Sequence, residues 1–153
     1  MAALKDRLRT DLTAAMKARD SLRAGTLRMV LTAVANAEVA GKQARELSDD
    51  DVLGVLTSEA KKRREAAEAF DAGQRPELAQ KERDEAAILA AYLPEQLTAE
   101  EVHKLVTATI DQLGVAGDGM KAMGRVMGAL QPQVKGRADG GVVAAEVKKA
   151  LGA

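Results

Sequence analysis

The chain offers very few side chains that can do chemistry. There is one histidine, His103, and no cysteine. A disulfide framework and a thiolate zinc site are therefore excluded, and no second imidazole exists to build a nitrogen-based zinc set. His103 falls beside Glu100, Glu101 and Lys104, on the polar side of a predicted helix, where a solvated role suits it. No Ser-His-Asp set can be assembled around it. The glycines at 114, 117 and 119 match neither a dinucleotide fingerprint nor a phosphate-binding loop, because no strand precedes them; they read as a turn between helices. The sequence thus assigns no catalytic residue, no metal ligand and no cofactor-binding residue.

What remains is binding by charge and by small residues. Lys121, Arg125, Lys135 and Arg137 fall between Asp118 and Asp139 with no acid among them. With Gly136 between the last two, they form a candidate cationic surface for RNA phosphates; the competing reading is a loop and a helix cap. Four phosphate contacts would give a salt slope of about −3 to −4, which is modest binding at physiological salt. Gly124 and Gly128 lie four apart on one face of a predicted helix. A helical glycine costs about 1 kcal/mol relative to alanine, so the pair implies close approach, either by another helix or by a ligand backbone. The densest basic run, Lys61 to Arg64, has acids at i±4 (Glu59/Arg63, Lys61/Glu65, Arg64/Glu68). It reads as a self-paired helix face, with Lys61 and Arg64 as the alternative, a partner contact.

The elements that position these residues are all predicted to be helices. Hydrophobic residues make up 46% of the chain, yet the aromatics are only Phe70 and Tyr92, so Leu, Val, Ala, Met and Ile must build the core. Prolines number three, and the alanines and leucines favour helix. The first helix runs from about Ala2 to Arg19 with Leu4, Leu8, Leu12, Ala15 and Met16 inward. A second runs from about Leu22 to Val39 with Leu27, Val30, Leu31 and Val34 inward, and Gly41 as its stop. Ser48 caps a third, which carries Val52, Leu56, Ala60, Ala66 and Phe70 and ends near Gly73. Pro76 opens a fourth, burying Leu78, Ile88, Leu89 and Tyr92 and ended by Pro94. Thr98 and Glu101 form a capping box, with Leu97 stapled to Val102. The fifth helix then carries Val102, Leu105, Val106 and Ile110 and closes at Gly114. Asp118 caps a sixth with Met120, Met123, Met127 and Leu130 inward. Asp139 caps a seventh with Val142, Val143, Val147 and Leu151. The predicted architecture is an N-terminal helical domain of about four helices, residues 1–94, and a C-terminal three-helix module, residues 95–153.

Charge limits the partners. The 23 basic and 23 acidic residues cancel, and they cancel within each part as well. Bulk electrostatic coating of nucleic acid is excluded, and no DNA partner is expected. Without aromatics to spare there is no base-stacking platform, so any RNA contact must be through backbone and shape. No run approaches the length of a membrane span, so no membrane partner is expected. The N-terminus lacks the apolar stretch of a secretory signal, and a cytoplasmic location is expected.

Several segments together resemble the YqeY family: residues 15–20 (AMKARD), 26–29 (TLRM), 61–65 (KKRRE), 78–82 (LAQKE), 92–97 (YLPEQL), 123–128 (MGRVMG) and 135–140 (KGRADG). The resemblance covers essentially the whole chain. One departure is residues 74–77 (QRPE), where the family usually has a Gly-Arg-x-Asp type of turn. The resemblance implies an N-terminal helical domain followed by a module similar to the tail of GatB, a subunit of the tRNA-dependent amidotransferase. It implies a tRNA-binding accessory role, with tRNA and amidotransferase or aminoacyl-tRNA synthetase components as partners. A protein-interaction adaptor with no RNA role is the alternative. The family also carries a carbon–nitrogen ligase label, with glutamine as amido donor. That chemistry resides in a large catalytic domain of GatB that this chain lacks.

Overall fold

The computed structural model describes residues 3–152, and among them the regular structure is entirely helical. Seven α-helices are present: α1 (Ala3–Lys17), α2 (Ser21–Val39), α3 (Asp49–Ala72), α4 (Pro76–Ala90), α5 (Ala99–Leu113), α6 (Met123–Val134) and α7 (Gly140–Ala150). A short 3-10 helix, Gly119–Ala122, precedes α6. The expected start of the first helix at Ala2 lies outside the described residues. The chain divides into two compact units, residues 1–93 and 94–153, each with its own hydrophobic core.

In the N-terminal unit, α1 and α2 form an antiparallel hairpin. Lys5, near the start of α1, donates to both carboxylate oxygens of Glu38 at 2.7 and 2.8 Å, near the end of α2. The same carboxylate accepts from the Leu47 backbone N–H at 3.0 Å. That single residue thus fastens the segment after α2 on its way to α3. The Lys5 ammonium, followed by the Leu47 amide, holds the Glu38 carboxyl below its ordinary range. Helix α3 starts on a capping box, in which Ser48 accepts from the Asp51 N–H and Asp51 accepts from the Ser48 N–H. Gly73 caps its end, and Pro76 opens α4 at the first turn, where a missing N–H leaves no bond unmade.

Leu8, Leu27, Val30, Val34, Leu47, Val52, Leu56, Ala60, Leu89 and Tyr92 form this core. Tyr92 is buried just past α4. Its hydroxyl donates to Asp11 on α1, and the Arg7 guanidinium lies over its ring, 4.6 Å from the centroid. Burial, then the Asp11 hydrogen bond, pushes the hydroxyl's pKa up to about 12. Several inward expectations fail. Met16 is exposed, and Ala66, Phe70 and Leu78 are only half-buried, whereas Ala67 and Ala79 are buried; Leu4, Leu12, Leu31 and Ile88 pack against the core as expected, from partly buried positions.

The C-terminal unit is built around Val102, Val106, Ile110, Val115, Val126, Leu130, Val134, Val143, Val147 and Leu151. Thr98 and Glu101 form the capping box of α5, and Gly114 ends it in the left-handed region at φ 66°. Asp139 caps α7 by accepting from the Gly141 N–H. Asp118 makes no side-chain cap. The 3-10 turn intervenes between it and α6, so the first helical amides are displaced from its carboxylate. In α6 Val126 joins the expected Leu130 at the centre of the core, and Met123 and Met127 pack against it as expected. Met123 and Met127 are half-buried and Met120 is exposed; Val142 is exposed as well.

Candidate functional site

The cationic residues expected to bind phosphate do not gather at one spot. Lys121 and Arg125 stand at the start of α6, where they line a shallow hollow with Val115, Asp118 and Ala122. Lys135 caps the other end of the helix. Ten residues of helical rise separate Arg125 from Lys135, about 15 Å. Gly124, Arg125, Gly128, Gln131 and Pro132 are exposed at the three- and four-residue spacing of one side of α6, and Lys121 in the 3-10 turn before it and Lys135 at its C-cap are exposed as well. The Lys121 and Arg125 side chains engage no ion pair or hydrogen bond among the described residues.

Gly136 and Arg137 have a different role. Gly136 is buried, its carbonyl accepts from Gln96 Nε2 at 2.7 Å, and its φ is 72°. Arg137 Nε donates to the Glu95 carbonyl at 3.2 Å, and the Arg137 carbonyl accepts from the Leu97 N–H at 2.8 Å. The 94–97 segment is therefore sewn to the end of α6 by backbone groups, and Arg137 is partly committed to holding it.

Of the two explanations for Gly124 and Gly128, close packing of another helix is not what the structure shows. A Cβ at either position would meet nothing within 4 Å. The pair leaves α6 with a flat, open strip between its terminal cations.

His103 is exposed, but it is not simply solvated. Its Nδ1 lies 3.0 Å from Glu146 Oε1 on α7. No group of three His, Asp or Glu side chains able to hold a metal occurs among the described residues.

The basic run on α3 resolves into residues of different fates. Lys61 pairs with Glu65 at 4.0 Å, while Arg64 is exposed and forms no ion pair with Glu68 among the described residues. Arg63 turns inward instead. Its Nη1 lies 3.4 Å from Glu59, and its Nε lies 3.1 Å from Glu85 and 3.8 Å from Glu82 on α4. Nη2 donates to the Met29 sulfur at 3.4 Å. Glu59 and Glu85 are buried at 8% and 6% exposure, a depth at which an acid needs a partner. Burial, with Glu82 next, raises the Glu85 carboxyl above its usual range despite Arg63. This cluster lines a cleft of about 660 Å³ beside α2, together with Gly25, Arg28, Met29 and Lys81. Sequence reasoning paired Arg63 with Glu59 and missed the rest. Glu82 and Glu85 are one turn apart on α4, and no local spacing tells that their face meets α3.

The model of the Yqey-like protein family matches residues 5–151. A Pyrenophora tritici-repentis protein named altered inheritance of mitochondria protein 41, mitochondrial, is 28% identical over 96% of this chain and 80% of its own length. The Saccharomyces cerevisiae protein of that name is 30% identical over 80% of this chain and 68% of its own. An uncharacterized protein of Schizosaccharomyces pombe is 37% identical over 58% of this chain and 70% of its own. The first two names overturn the cytoplasmic location expected from the sequence. That expectation rested on lacking a secretory apolar stretch, a feature that does not bear on mitochondrial targeting, whose leaders are amphipathic rather than apolar. With a family model spanning nearly all of its residues, the chain belongs to the Yqey-like family.

Proposed function

We propose that the C-terminal unit is an RNA-binding accessory module, with tRNA as the RNA, and that it works beside an amidotransferase or aminoacyl-tRNA synthetase component. The reading treats residues 94–153 as a domain of the GatB-tail type. One observation carries it: the exposed strip of α6, with Lys121 and Arg125 at one end, Lys135 at the other and two glycines between. Without a Cβ in the middle, a sugar-phosphate backbone can lie against the helix and reach both cationic ends. The start of α6 adds the positive end of its dipole beside Lys121 and Arg125. With three cations engaged, the salt slope of binding is about −2 to −3, which suits an accessory contact added to a larger assembly. The relatives' names add the mitochondrion as the compartment in which such a module acts.

Sequencing the RNA that co-purifies with the full chain from cells tests this reading, with Lys121→Glu/Arg125→Glu/Lys135→Glu as control. Enrichment of tRNA that the reversal abolishes is the expected result. Protein partners that survive nuclease treatment, with no tRNA signal, would establish the adaptor reading in its place. Release of ammonia from glutamine by the purified chain above a blank would establish the ligase label and overturn both.

A further inference from the structure

The cleft of the N-terminal unit has no part in the RNA reading, and its charges are arranged in depth. Its floor carries Glu59 and Glu85, both more than nine-tenths buried, with Arg63 between them and Glu82 behind. Three carboxylates thus share one guanidinium. Lys62, which is 3.6 Å from Glu59, is a solvent-exposed second partner for that residue alone. The compensation is incomplete in geometry as well as in number. Arg63 Nε is buried and, though 3.1 Å from Glu85 Oε2, is not aligned to hydrogen-bond to it, and the buried Glu82 Oε2 accepts no hydrogen bond. Leu22, Gly25, Met29 and Ala33 supply an apolar wall. Met29 is 41% exposed, although its sulfur touches the floor's guanidinium. At the mouth the sign reverses, with Arg28 and Lys81 exposed.

We propose that this cleft binds a small aliphatic zwitterion, its ammonium or guanidinium on the Glu59 and Glu85 carboxylates beside Arg63, its alkyl stem along Met29, and its anionic end facing Arg28 and Lys81. A volume of about 660 Å³ lies within the range of small-molecule sites, which pair an apolar lining with a few convergent polar groups. A cation at the floor supplies the charge that Arg63 cannot give to all three acids. A neutral molecule leaves both the floor and the mouth unmatched, and an anion meets the floor with the wrong sign.

The test is titration of the methyl-¹³C-methionine-labelled full chain with 6-aminohexanoate, hexylammonium and hexanoate, followed by NMR. The Met29 signal should shift and saturate with 6-aminohexanoate while those of Met123 and Met127 stay put. Hexylammonium should bind more weakly, and hexanoate about tenfold more weakly or worse, as one missing charge pair in a half-buried site implies. Glu85→Gln should weaken 6-aminohexanoate by a similar factor. Gly25→Leu blocks the cleft without touching its charges, because a Cβ at Gly25 meets nothing within 4 Å, and it should abolish the shift. Nα-acetyl-lysinamide, which lacks the anionic end, should bind more weakly than 6-aminohexanoate; tighter binding would assign the site to a basic side chain on a peptide and overturn the zwitterion. A Met29 signal that does not move, hexanoate binding as well as 6-aminohexanoate, or full affinity in folded Glu85→Gln would overturn the proposal.

Discussion

The two units carry the same formal balance, with equal numbers of acids and bases in each, yet they use it in opposite ways. In the N-terminal unit opposite charges are brought together and partly buried. Lys5 meets Glu38, and Arg63 meets three glutamates. In the C-terminal unit the pairs stay at the surface, Lys104 with Glu100 at 3.3 Å and His103 beside Glu146 at 3.0 Å. Lys121 and Arg125 stand exposed at the start of α6 and pair with no acid among the described residues. Net charge therefore says nothing about either unit's surface. What differs is whether helix packing consumes a charge or leaves it facing water. A consumed charge holds helices together and is insensitive to salt; a segregated one adds little stability and a salt-dependent field.

The largest expected effect breaks the comparison at its root by removing one unit and keeping the other. Leu130 is fully buried in the C-terminal core. Leu130→Ala should cost about 3 kcal/mol, against the roughly 3–5 kcal/mol that a core of this size supplies. Circular dichroism should then show the C-terminal unit's helix melted at ambient temperature. The near-ultraviolet signal of Tyr92, the only tyrosine and a residue of the N-terminal unit, should persist. Disappearance of both signals together would mean that the units do not fold separately.

Next in size is the consumed charge itself. Arg63→Met keeps the stem against Met29 but leaves Glu59, Glu82 and Glu85 without their shared guanidinium. Breaking a buried pair from one side costs about 3 kcal/mol, and urea unfolding followed at Tyr92 should show it. A destabilisation below about 1 kcal/mol would mean that water reaches these acids. The pH dependence then separates two carboxylates of the same unit. Glu38 is held below its ordinary value of 4.5, mainly by Lys5. Its contribution is present above that value and lost as pH falls through the lower folded pKa. Glu85 is raised by burial, so its contribution is present below its ordinary value and lost as pH rises through the folded one. Glu38→Gln should flatten the acid limb of Tyr92-monitored stability, and Glu85→Gln should flatten the slope just above it. An acid limb unchanged by Glu38→Gln would detach the Lys5 pair from stability.

Much of this fold is legible locally. Capping at Ser48 and Thr98, the stops at Gly73 and Gly114, and the proline that opens α4 are each set within four residues, and each is where the sequence places it. The exposure of Met120 is not legible in the methionine stripe. It depends on a 3-10 turn from Gly119 to Ala122, and nothing at Asp118 distinguishes a capping aspartate from one that precedes such a turn. Arg137 shows the same limit in the candidate site. Its charge is visible in the sequence, but its bond to the Glu95 carbonyl spans 42 residues. Lys121 and Arg125 are legible as charges, and only the folded structure shows that they and Lys135 stand exposed at the two ends of α6.

The smallest effect on stability sharpens the comparison most. Lys121→Glu with Arg125→Glu changes two charges that hold nothing, so unfolding free energy should move by no more than about 0.5 kcal/mol. Affinity for tRNA should fall, and the salt slope should shrink by about 2, one for each phosphate no longer neutralised. Arg137→Ala should do the reverse. Removing its bond to the Glu95 carbonyl should cost about 1 kcal/mol of the C-terminal unit's stability and leave the slope nearly intact. Anisotropy titrations at several salt concentrations, with melts of each variant, read both quantities. A double reversal that keeps the full slope would remove α6 as the phosphate face. A slope that falls equally in Arg137→Ala would mean that α6 binds through the fold of its C-terminal end, and the contrast between consumed and segregated charge would not hold within this unit.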